Sequence, residues 1–157
     1  MPLIKDGVAQ PLKELFLHPQ YAVVAWAPYG YHPAKVVADA ATQSIYFEFR
    51  IPPDFLRLQH LHVVIIPTGT GNIYWRLDTN YASHGENSLI HTGAKAYAVD
   101  AVTTPQMTEL PDGSGSLPGL TKGDYVGVNF TRDATNILDT VNADVYVVGL
   151  LVEYEAG

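Results

Sequence analysis

The sequence predicts an all-β protein, a jelly-roll-like antiparallel β-sandwich with an N-terminal arm. Period-2 alternation of apolar and polar residues dominates from residue 44 onward. The alternating runs are short, about eight in number, and are parted by turn signals drawn from 13 Gly and 11 Pro. Only one stretch, near residue 12, carries a helical spacing. Many short strands with Gly- and Pro-rich turns point to a sandwich, with an immunoglobulin-like arrangement as the alternative to a jelly roll.

Residues 1–37 read as an arm or extension and residues 38–157 as the sandwich domain. Within the arm, Leu12, Leu15 and Phe16 are spaced for one amphipathic helical turn after Pro11, ending near His18-Pro19. Tyr21–Trp26 reads as a strand, and residues 28–33 as an aromatic, proline-rich loop. Such an apolar arm packs along its own sandwich or along a neighbour.

In the sandwich domain, Ile45, Phe47 and Phe49 share one face of a strand, with Tyr46, Glu48 and Arg50 opposite. Pro52 and Pro53 end it, since proline cannot donate to a ladder. His60–Ile66 forms a second strand. After the Thr68–Gly71 turn, Ile73, Trp75 and Leu77 form the inward face of a third. Further strands are expected in Ala94–Val102 and near Gln106–Leu110, with a flexible loop at Asp112–Ser116. Val126, Val128 and Phe130 alternate with Tyr125, Asn129 and Thr131.

The last strand is apolar on both sides. Strict alternation puts Val145, Val147 and Leu151 on one face, and Tyr146, Val148, Leu150, Val152 and Tyr154 on the other. One face covers a core. The other needs a cover from the second sheet, the arm or a second subunit. Apolar surface in excess of what one sandwich covers predicts self-association. The expected contacts are Leu12, Leu15, Phe16 and Trp26 of the arm with Tyr146, Val148, Leu150, Val152 and Tyr154 of the strand.

A chain of 157 residues suits a single core. A net charge of −7, with nine scattered Lys and Arg, argues against binding a nucleic-acid backbone. With no Cys, disulfides and thiolate metal sites are excluded. Residues 1–6 lack a secretory signal pattern, and no apolar run approaches the ~20 residues needed to span a bilayer. Synthesis in a cytoplasm, without membrane insertion, is the expectation.

No catalytic residue, metal ligand set or cofactor motif stands out. His60 and His62 share a strand face, as in cupin-type metal sites, but Val63–Ile66 supplies no carboxylate after them. Asp78–Glu86 gathers oxygen donors at a spacing that fits no EF-hand, and Asx turns account for it. Arg132-Asp133 and Asp139-Thr140 flank the final loop, and an Arg–carboxylate fork across its neck is expected to brace it, with a general acid/base pair as the functional alternative. Neither a Gly-x-Ser-x-Gly elbow nor a phosphate-binding glycine loop occurs. Exposed-register aromatics Tyr46, Tyr74, Tyr81 and Tyr125, with Trp26 and Tyr29, are candidates for a sugar-stacking platform. Of these Tyr74, Tyr81 and Tyr125 are the glycan-stacking choices.

The segments Gly123-Asp-Tyr-Val-Gly-Val128, Thr131-Arg-Asp133, Asp139-Thr-Val-Asn-Ala-Asp144 and Gly149-Leu-Leu-Val-Glu-Tyr154 resemble the C-terminal part of jelly-roll virion proteins of tailed phages and environmental viruses. Phe47-x-Phe-Arg-Ile-Pro-x-Asp-Phe55 and Trp75-x-Leu-Asp-Thr-Asn-Tyr81 fit the same pattern. The similarity spans roughly residues 38–155. It implies a non-enzymatic structural component of a virion: a capsid decoration protein, head fibre or tail-associated subunit. A homotrimer touching other virion proteins belongs to that implication, and a host-surface glycan is the partner expected on the alternative that follows. A glycan- or receptor-binding sandwich module is the alternative, and a cupin-like metal enzyme the third possibility.

Overall fold

The computed structural model describes residues 4–5 and 8–157. The strands are β1 (Ile4–Lys5), β2 (Val8–Ala9), β3 (Leu12–Leu17), β4 (Tyr21–Ala22), β5 (Lys35–Val37), β6 (Thr42–Arg50), β7 (Phe55–Pro67), β8 (Gly71–Ala82), β9 (His91–Val102), β10 (Thr108–Glu109), β11 (Tyr125–Asp133) and β12 (Val145–Ala156). A 3₁₀ turn covers Ser114–Ser116. No helix among the described residues is long and apolar enough to cross a membrane. Of residues 1–6, which lack a secretory pattern, residues 1–3 and 6 lie outside the described residues.

Apart from the β1–β2 pair, the strands form two antiparallel sheets. The first runs β10-β7-β12-β3, with β5 also on β12, and the second runs β4-β6-β11-β8-β9. Strands β5 to β8 alternate between the sheets, β9 pairs with β8 as a hairpin, β10 returns to the first sheet, and β11 and β12 then insert into the interior of the second and the first. That is jelly-roll connectivity.

Two-sided burial follows from the alternation read in the sequence. Ile45, Phe47, Val63, Ile65, Trp75, Leu77, Val128 and Phe130 point between the sheets and are buried. Each such side chain contributes about 1.5–3 kcal/mol on leaving water.

The terminal strand departs from strict alternation. Val147 pairs with Ile65 and Gly149 with Val64, so Val148 is an extra residue, a β-bulge in the ladder to β7. A one-residue slip exchanges the two faces of everything beyond it. Val145 and Val147 before the bulge, and Leu150, Val152 and Tyr154 after it, therefore all enter the same core. The expectation that Leu150, Val152 and Tyr154 meet a second subunit is corrected by this slip: they are buried in their own sandwich. Val148 and Tyr146 point out of the sandwich, where with Val64, Ile66 and Leu151 they form a small second cluster roofed by Tyr29. The Tyr29 and Tyr146 rings meet edge-on at 5.2 Å.

The N-terminal residues also differ from expectation. Leu12–Leu17 is a strand, not a helical turn; it pairs with Leu150–Glu155 of β12. The unpaired edge of β12 offers a ladder of donors and acceptors that one isolated helical turn cannot match. Alternation then sends Leu15 and Leu17 against the core, whereas Leu12 and Phe16 stay exposed. Only Tyr21–Ala22 of the expected Tyr21–Trp26 strand pairs, with β6, and Trp26 makes a single bridge to Lys35. The arm thus leaves the first sheet after β3, touches the edge of the second as β4, and returns to the first as β5. From Leu12 onward it packs along its own sandwich and contributes strands to both sheets.

Candidate functional site: the outer face of the second sheet

Residues opposed across antiparallel strands share a face, so the register of β6, β11, β8 and β9 fixes what the second sheet shows outward. Tyr125 lies between Arg50 and Ala82. In the next row Gly127 lies between Glu48 and Asn80, with Thr92 beyond. In the following row Asn129 lies between Tyr46 and Asp78. Thr131 then lies between Ser44 and Arg76.

Gly127 makes the relief of this face. It occupies the central strand and carries no side chain, while the aromatic rings of Tyr125 and Tyr46 rise in the rows before and after it. The Tyr125 and Asn129 rows lie four residues apart, about 13 Å along the strands, and Gly127 leaves a trough in the middle of that interval, flanked by Glu48 and Asn80. Two depressions of about 190 and 360 Å³ meet at Gly127 and Asn80. One reaches toward Tyr46, Asp78 and Asn129. The other reaches toward Glu48, Tyr125 and the β8–β9 loop at Ser83, Glu86 and Ser88. A methyl group on Gly127 would lie 3.0 Å from Asn80 Oδ1 and begin to fill the junction.

The charges on this face are sorted by their partners. Arg76 pairs with Asp78, and its guanidinium lies 5.4 Å from the Tyr97 ring centre. Arg50 lies over the Tyr125 ring at 5.4 Å. The Ser83 N–H donates to Glu86 Oε2 at 2.9 Å. That bond first, with help from the Ser83 hydroxyl and His91, holds the Glu86 carboxyl below its ordinary range. Glu86 is thus anionic at neutral pH. Glu48 stands exposed on the row of Gly127.

Of the aromatics chosen in the sequence, Tyr74 and Tyr125 lie on this face and Tyr81 does not. Tyr81 has the parity of Trp75 and Leu77, so it turns into the sandwich and is 4% exposed. Its hydroxyl donates to Pro118 O at 3.3 Å, and its ring stacks on His91. Burial, then the nearby Asp124, pushes its phenol pKa up. Its candidacy for glycan stacking is withdrawn on those grounds. Trp26 and Tyr29 lie elsewhere: Trp26 carries Lys35 Nζ 4.4 Å above its ring, and Tyr29 roofs Tyr146. Tyr46, by contrast, lies on the face and meets Tyr21 of β4 at 5.7 Å.

Two members of the face went unread in the sequence. Tyr97 stacks on Tyr74, ring centres 4.4 Å apart and nearly parallel at 7°, but a register shift between Trp75 and Leu77 breaks the alternation that would place it. Gly127 carried a usable signal, because glycine inside a strand marks a bulge or a close approach to the backbone.

The metal candidates have structural partners. His60 and His62 stack at 5.5 Å; Nδ1 of His62 meets Leu110 O at 2.8 Å, and Nδ1 of His60 meets Asp112 at 3.4 Å. Asp78 and Asn80 belong to β8, which extends to Ala82, so they do not share a loop with Glu86. Among the described residues no group of three or more His, Asp and Glu is placed to hold a metal ion.

No family model matches the chain, and no curated protein matches it. Among solved structures, one titled "Structure of TmCBM61 in complex with beta-1,4-galactotriose" is similar at 11% identity, over 92% of this chain and 88% of that one, with a TM-score of 0.28.

Proposed function

We propose that this chain is a glycan-binding β-sandwich module, and that the trough over Gly127 is where it holds sugar. The carrying observation is the trough itself: two depressions that meet at Gly127 between Tyr125 and Tyr46, with Glu48, Asn80 and Asn129 at their sides. A pyranose has an apolar C–H face that suits an aromatic wall and a rim of hydroxyls that suits carboxylate and amide partners. Sites for small ligands pair such apolar surface with a few placed polar groups. The role is one of binding, not of turnover.

A glycan array on the full chain tests this directly, followed by titration of the best ligand into Tyr125→Ala and Tyr46→Ala. We expect a ligand, and a loss of at least about tenfold in affinity for Tyr125→Ala. Binding of no glycan, or binding indifferent to both tyrosines, refutes the reading.

The jelly-roll connectivity favours a second reading, the virion component implied by the resemblance. Viral capsid proteins, lectins and cupins share that connectivity, and fold alone does not choose among them. On this reading the chain self-associates as a trimer through the exposed arm residues Leu12, Phe16 and Trp26. Light scattering tests it, and a monomer at micromolar concentration counts against it.

A further inference from the structure

We infer that the trough over Gly127 selects uncharged glycans and turns away uronates and sialylated chains, which rests on the glycan-binding reading above. The groups that line its two depressions include the carboxylates of Glu48, Glu86 and Asp78, and no Lys or Arg. Asp78 is neutralised by Arg76 from the adjoining row. Glu86 has the Ser83 N–H and, at 3.6 Å, His91 Nε2 as its partners. Glu48 has Gly127 and, beyond it, Asn80 as cross-strand neighbours, and Arg50 two residues along its own strand on the same face.

The two nearby arginines are turned to other work. Arg50 lies on the Tyr125 ring and lines a separate hollow with Ile51, Pro53, Lys122 and Gly123. Arg76 is held between Asp78 and the Tyr97 ring. A sugar carboxylate seated over Gly127 would meet Glu48 and Glu86, while the Arg50 guanidinium lies over the Tyr125 ring and lines neither depression. Like charges brought together at partly desolvated contact repel, and the chain's charge of −7 adds to that field. A neutral sugar meets the same carboxylates as acceptors for its hydroxyls, in charge-assisted hydrogen bonds.

The test compares galactan with polygalacturonate, and a β-glucan with alginate, on the full chain by affinity electrophoresis and titration at low and moderate salt. The same polymers are then offered to the Glu48→Gln/Glu86→Gln variant, with its thermal midpoint checked against the parent. We expect the parent to hold at least one uncharged polymer about tenfold or more tighter than the uronates. The gap should narrow in the double variant and with salt. Uronates bound as tightly as the uncharged polymers, or a gap unchanged in the variant, overturn the selectivity and leave glycan binding standing. Binding of neither class overturns both.

Discussion

Arg132 donates to both carboxylate oxygens of Asp139, from Nη2 to Oδ1 at 2.8 Å and from Nε to Oδ2 at 3.0 Å, with both side chains buried. The remaining guanidinium hydrogens reach the carbonyls of Val141, Ala143 and Val37. One side chain at the end of β11 therefore ties together the β11–β12 loop and β5. Asp139 in turn accepts the Tyr74 N–H at 3.1 Å, which extends the brace to β8. Every donor of the buried cation has a partner, which is the condition under which burying it is tolerable.

Breaking that pair is expected to be severe. Asp139→Ala leaves the guanidinium buried without a counter-charge, and a loss of about 3–5 kcal/mol in unfolding free energy is expected. Urea denaturation of the variant and parent measures it. A loss below about 1 kcal/mol would mean that the loop opens and lets water reach Arg132.

The bulge at Val148 yields a deletion test. Removing Val148 alone leaves Val147 opposite Ile65 and Gly149 opposite Val64, so the inward set is unchanged and the fold should survive with a modest loss. Removing Leu151 instead shifts Val152 and Tyr154 outward and brings Glu153 in, and no folded protein is expected. Circular dichroism and thermal melts on the two deletions compare them. Equal tolerance of both would mean that the strand is not in this register.

Gly149→Ala should destabilise. A Cβ there would sit 2.7 Å from Leu17 O and 2.4 Å from the tip of the Phe16 ring. Phe16 is exposed enough to swing away, but the β3 backbone is not free to follow. A loss of about 1–3 kcal/mol is expected, as for other forced overpacking. A parallel Gly127→Ala change has its one tight contact, 3.0 Å, with Oδ1 at the end of the Asn80 side chain. It should leave the melting temperature within a few degrees of the parent while weakening sugar binding, measured by differential scanning calorimetry and titration.

Acid should erode stability below about pH 4. Burial pushes the Asp112 carboxyl up, but the N–H groups of Leu61 and Ser114, the Ser114 hydroxyl and His60 outweigh it and hold the group below its ordinary range. The Asp133 carboxyl is likewise held down, first by the Thr135 hydroxyl. A carboxyl with a folded pKa below its unfolded one stabilises fully above the unfolded value, and that contribution disappears as pH falls through the folded value. Thermal midpoints between pH 7 and 2 should drop through this window, less steeply for Asp112→Ala. An identical acid limb in that variant refutes Asp112's share.

The sequence by itself determined the sandwich. Alternation in 44–50, 73–77 and 125–131 named the inward residues, because the period of a strand is a local property that neighbouring residues express without reference to the rest of the chain. The brace between Arg132 and Asp139 was legible for a similar reason: seven residues apart, the two flank one loop. Tertiary structure decided what depends on distant strands. The bulge that sends Leu150, Val152 and Tyr154 inward exists only in the ladder to β7, and the strand state of Leu12–Leu17 exists only against the free edge of β12. The trough is assembled the same way. Tyr125, Gly127, Glu48 and Asn80 come from three strands, and only their register sets a glycine between two aromatic walls.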